Sequence, residues 1–188
     1  FAADASARNM RDAFIAAYDA DGVAFAPAPV SAQWLWDKRA VTKTKLEWAP
    51  EMAEISSSGD LGYTCGPWRI TPEGANAPVA FGHFFTIWRK DASGKWKVLV
   101  DTGISHGEVP FPAKVTRRGN IGAGRLPTWP VGVAELRIAD QAPAGALDPR
   151  MVSSDFLRLR EGMLPDSTAQ GDALPSRATR LDTGLVVS

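Results

Sequence analysis

An α+β fold is what this sequence predicts, on three observations. A helical apolar stripe opens the chain, four long extended segments follow it, and hairpin-forming residues separate those segments. The stripe runs through Ala3, Ala7, Met10, Ala13, Phe14, Ala17 and Tyr18 at i, i+3, i+4 spacing. It predicts a helix over 3–20, stopped by Gly22. Residues 23–26 read as a short strand ended by Pro27 and Pro29. Ser31 is placed to cap a short helix over 32–39 that carries Trp34, Leu35 and Trp36.

The extended segments come next. Residues 45–48 and 51–56 form one arm, with Pro50 marking a bulge or a sheet edge. A turn over 57–60 leads into a strand over 61–70, and a loop over 72–78 into a strand over 79–90. The Asp91-Ala92-Ser93-Gly94 turn then leads into a strand over 95–105. In the third long strand Phe81, His83, Phe85 and Ile87 share one face, and Phe84, Thr86 and Trp88 the other. Apolar residues on both faces require both faces to be covered. Strict alternation in the last strand sets Trp96, Val98 and Val100 against Lys97, Leu99 and Asp101.

Composition narrows the function classes. The chain of 188 residues balances 21 Lys+Arg against 21 Asp+Glu, so no broad basic face is available for nucleic acid. A single cysteine, Cys65, excludes an intrachain disulfide and a cysteine-cluster zinc site, and reads as a buried structural thiol. With two histidines, His83 and His106, neither a metal site nor a cofactor is expected. No apolar run reaches the length of a spanning helix. Nucleophile elbows, P-loops and dinucleotide-binding glycine motifs are missing.

Two texture changes divide the chain into 1–108, a Pro/Gly-rich linker over 109–130, and 131–188. The last part has a helix-like stretch over 131–142 and a strand-like stretch over 155–160. It is either a C-terminal extension or an incomplete second domain. The start at Phe1 and the apolar end LDTGLVVS lead us to expect a piece of a longer polypeptide, exported (periplasmic) or cytoplasmic.

Two stretches carry a family resemblance: GDLGYTCGPWRI at 59–70 and GHFFTIWRKDASGKWKVLVDTGISH at 82–106. They resemble the last hairpins of a nuclear-transport-factor-2-like (NTF2-like) domain of the SnoaL-like, DUF4440-like kind. The resemblance covers residues 1–106 and implies a strongly curved antiparallel sheet. That sheet would wrap N-terminal helices into a cone with an apolar interior. The stretch 131–188 lacks both hairpin motifs, so a second NTF2-like domain there would be incomplete. Enzymes that the resemblance points to place carboxylates, Tyr or His inside the cone for proton transfer.

Candidate site residues follow from polar groups set into apolar strands. Asp101 at a strand centre is either a pocket carboxylate acting as a base or a rim Asp bonded to a neighbouring strand. His83 is either a proton shuttle beside Asp101 or a histidine satisfied by backbone. If the two strands pair through the 91–94 turn, His83 and His106 meet at one end of the hairpin. Trp34, Trp36, Trp48, Trp68 and Trp88 are candidate cavity rings, or simply core. We take Trp34, Trp68, Trp88, Tyr63 and His106 as ligand-binding and Asp101 with His83 as catalytic. The expected function is the binding of a small apolar molecule. The alternatives are an isomerase, cyclase or hydrolase using Asp/His acid–base chemistry, and a homodimerisation module.

Overall fold

The computed structural model describes residues 1, 2, 5, 8–116, 159 and 161–165. Asn9 starts helix α1 (Met10–Ala17): its side-chain oxygen accepts the Asp12 backbone N–H at 2.9 Å. The helix begins at Met10 rather than at residue 3, since Asn9 is extended, and it stops three residues short of the expected end. Tyr18 is already extended, and strand β1 runs Tyr18–Phe25. The reason is non-local. Tyr18 and Val23 pair with Val98 and Val100 of the last strand, and the Asp19 carboxylate takes Arg89 at 2.9 Å. Such pairing overrides a local helical pattern.

Strand β2 (Pro29–Ser31) folds back on β1, and Ser31 then caps helix α2 (Ala32–Asp37) by accepting the Trp34 N–H at 3.3 Å. Strands β3 (Lys45–Trp48), β4 (Met52–Ile55), β5 (Leu61–Thr71), β6 (Ala80–Lys90) and β7 (Trp96–His106) sit close to the segments expected. The sheet order is β2-β1-β7-β6-β5-β3, with β4 also paired to β5. Among the described residues there are seven strands rather than the five expected, because the arm over 45–56 is split into β3 and β4 and β2 is added; all are antiparallel to their neighbours except β1 against β7. Architecture is α+β as predicted, with a mostly antiparallel, curved and unclosed sheet.

Three local features shape that sheet. The β6–β7 turn closes because Asp91 Oδ1 accepts the Ser93 and Lys95 N–H groups and Gly94 takes φ +80°. At the edge, Trp48 pairs Trp68 and Met52 pairs Cys65, so residues 49–51 face only 66–67. The expected irregularity at Pro50 is this bulge. The third feature lies in β7: Thr86 pairs Asp101 and Ile87 pairs Val100, but Trp88 pairs Val98. One extra residue is accommodated there, which puts Val98 and Asp101 on the same face. The strict alternation read from the sequence had set them apart.

Both helices pack on that inner face. Phe14, Tyr18, Ala24, Ala32, Trp36 and Val98 form the buried core, and Phe14 stacks on Trp36 at 4.0 Å. On the outer face, the chain after β7 crosses toward β4. Thr116 donates its N–H to the Glu51 carbonyl at 2.8 Å, and the Arg69 guanidinium lies 4.5 Å over the Phe111 ring. Gly162 returns to β7, donating to the Ser105 carbonyl at 2.7 Å. Among the described residues no helix is long and apolar enough to cross a membrane. Residues 117–130 of the expected linker, the helix over 131–142, the strand over 155–160 apart from Leu159, and the apolar run 185–187 lie outside the described residues.

Gly82 gives a direct test of the β5–β6–β7 packing. A Cβ there would stand 2.0 Å from the Ile104 carbonyl oxygen and 2.4 Å from the Trp68 ring. Gly82→Ala is therefore expected to destabilise by about 3 kcal/mol, against almost nothing for Gly107→Ala, which meets open space. Urea midpoints compare the two, and equal midpoints would reject this packing.

Candidate functional site

The helices and the inner face of the sheet enclose a cavity of about 320 Å³. Eight aromatic side chains line it, among them Phe14 from α1, Trp36 from α2, Trp48 from β3, Trp68 from β5 and Phe84 from β6. One carboxylate, Asp101 of β7, is set among them. Asp101 keeps some exposure because it borders the cavity, yet protein encloses it on nearly every side. It accepts a hydrogen bond from the Thr86 hydroxyl at 2.5 Å, and the Tyr18 hydroxyl beside it favours its ionised form.

Burial pushes the Asp101 carboxyl up to about 6, against the opposing pull of the Thr86 and Tyr18 donors. The Tyr18 phenol is raised well beyond its usual range, first by burial and then by the Asp101 charge. The Trp36 indole N–H favours the Tyr18 oxygen electrostatically but makes no hydrogen bond of ordinary geometry, so this buried donor is unpartnered. Trp36, Tyr18, Asp101 and Thr86 thus form a polar row along an otherwise apolar wall.

The histidines are elsewhere. Residues 82, 84, 86 and 88 of β6 share the inner face with Asp101, so His83 projects from the outer one. This corrects the expectation of a common His83–Asp101 site. The expected meeting of His83 with His106 does occur: His83 Nδ1 and His106 Nε2 are 2.6 Å apart. The chain of contacts continues from His83 Nε2 to Glu51 Oε1 at 3.2 Å and from His106 Nδ1 to the Gly107 carbonyl at 2.6 Å. It ties β6 and β7 to the chain segments beside them. Among the described residues no group of three His, Cys, Asp or Glu side chains is arranged to hold a metal ion.

The remaining sequence candidates separate in the same way. Trp68 lines the cavity. Trp88 faces inward but packs into the core side, donating its N–H to the Thr64 hydroxyl at 2.8 Å. Trp34 is 54% exposed and carries Lys38 over its ring, so it is no part of the cavity. Tyr63 stacks on Phe85 at 5.3 Å on the outer face, where His106 also lies. Cys65 is buried, as expected. Tyr18 and Arg39 were missed. Tyr18 belonged to a helical stripe in the sequence, and Arg39 followed a short helix whose facing no local pattern settles.

No family model and no curated protein matches the chain. Solved structures do resemble it. An NTF2-like protein of unknown function from Pseudomonas putida is 19% identical, with a TM-score of 0.43 over 60% of this chain and 90% of that one. A ketosteroid isomerase-like protein from Erwinia carotovora atroseptica is 18% identical, with a TM-score of 0.39 over 57% of this chain and 92% of that one. A domain of unknown function with a cystatin-like fold from Nostoc punctiforme is 16% identical, with a TM-score of 0.42 over 75% and 80%. Structures described as NTF2-like are thus among those that this chain is similar to, and the similarity is one of fold.

Proposed function

We propose that residues 1–116 form an NTF2-like ligand-binding domain whose cavity takes a small, mostly apolar molecule. The observation that carries this reading is the wall itself: eight aromatic side chains around about 320 Å³, with one carboxylate among them. A small molecule that displaces water from such a wall gains about 25 cal/mol per Å² of apolar surface buried. Flat rings supply area without the entropy loss of long side chains.

Titration with 1-octanol, a probe of suitable size, tests it through tryptophan fluorescence. The expected result is a saturable shift that Trp68→Ala weakens at least about tenfold. Trp34→Ala, on the exposed side of α2, is expected to leave it unchanged. A linear, unsaturable response would overturn the reading.

Acid–base catalysis is the second reading, favoured by one observation. A carboxyl group held at about 6 inside an apolar cavity is half ionised close to neutral pH. That suits a general base. Asp101→Asn would then abolish turnover of a true substrate while the cavity still binds it.

A further inference from the structure

Arg39 lines the cavity, yet its side chain is exposed. Its guanidinium lies 4.4 Å over the Trp36 ring, whose other face is stacked on Phe14 at 4.0 Å. Two groups so close to one ring centroid have to occupy its opposite faces. Arg11, on the helix beside it, is paired with Asp12 and Asp37, and Lys45 and Arg69 with Glu47. Among the described residues no carboxylate stands within ion-pair distance of Arg39. Its charge is nonetheless felt inside, where it favours the ionised form of Tyr18.

A second observation is independent of that charge. Trp36 lines the cavity and is only 6% exposed, and its buried indole N–H has no hydrogen-bond partner. An orphaned buried donor calls for an acceptor that the protein does not supply. The guanidinium above the ring and the N–H at its edge are both donors without an anion. Asp101, further along the same row, already receives the Thr86 hydroxyl and has Tyr18 beside it.

We propose that the ligand is an amphipathic carboxylate, its tail among the aromatic rings and its carboxylate held by Arg39 and the Trp36 N–H. This rests on the ligand-binding reading above and names the chemical class. A carboxylate satisfies both donors through charge-assisted hydrogen bonds, which a neutral head group does not.

Octanoate and 1-octanol, equal in length, separate the two claims at pH 8 by tryptophan fluorescence. The wild type is expected to bind octanoate about tenfold to a hundredfold more tightly than octanol. Arg39→Gln should bring that ratio close to one, and Trp36→Phe, which keeps a ring but removes the N–H, should lower it. Lys38→Gln, whose charge sits over the exposed Trp34, should leave it intact. Added salt should weaken octanoate and spare octanol. If both probes bind equally and Arg39→Gln leaves their ratio unchanged, the carboxylate assignment is wrong and the apolar cavity stands. If neither probe binds, the ligand-binding reading itself fails, and this assignment with it.

Discussion

Phe14→Ala is expected to lower the unfolding free energy by about 3–5 kcal/mol, the range for emptying a buried aromatic site. Phe14 is 6% exposed and sits at the crossing of four rings. It stacks on Trp36 at 4.0 Å, meets Phe1 edge-on at 4.8 Å, and lies 5.9 Å from Trp48 and 6.3 Å from Tyr18. The void would open into the existing cavity. Trp36 would also lose the ring that holds it against Arg39. Urea denaturation measures the loss, and an unchanged midpoint would remove Phe14 from the core.

Asp101→Asn is expected to stabilise the protein, and only above a certain pH. Burial pushes the folded carboxyl up to about 6, from an ordinary value of 3.8. In that interval the folded state holds a proton that the unfolded chain has released. The contribution is therefore fully present below the unfolded pKa and is lost as pH rises through the folded one. Above about pH 6 the ionised, enclosed carboxylate costs roughly 2–3 kcal/mol, less whatever cavity water returns. Asparagine keeps the shape without the charge.

Variant and wild type should thus be similar near pH 3 and diverge by that amount by pH 8. Asp19 and Glu47, held below the usual carboxylate range by a turn N–H and Arg89, and by Arg69 and Lys45, act in the opposite sense. They are common to both proteins and cancel in the difference. A difference in unfolding free energy that stays flat with pH would show that Asp101 is not desolvated.

What the sequence revealed was what lies close together along the chain. Asn9 and Ser31 are neighbours of the helices they cap, and Asp91 to Gly94 build their own turn. The β5–β6–β7 hairpins were therefore legible as period-two runs between turn residues. The pairing of Tyr18 with Val98 was not, because nothing near Tyr18 distinguishes a helical stripe from a strand that meets a partner 80 residues on. Asp101 and Trp68 stood out as a polar group and a ring within strands. Their neighbours depended on facing: Trp34 and Trp36 are two residues apart, about 200° around a helix. One is 54% exposed and the other 6%. The parity argument for His83 was sound along β6, but no parity links one strand to the next through a bulge.

That bulge makes the length of β7 negotiable. Val98 opposes Trp88 and Val100 opposes Ile87, so Leu99 is a letter that the pairing does not read. A chain lacking Leu99 would keep the pairs on both sides of the gap, and Asp101 would still point inward. What would change is the bend of the strand, because an unpaired residue adds local twist and its removal relaxes it. Relatives one residue shorter at this point would thus keep the same lining in a flatter wall, with the distance between Tyr18 and Asp101 as the dimension left to vary.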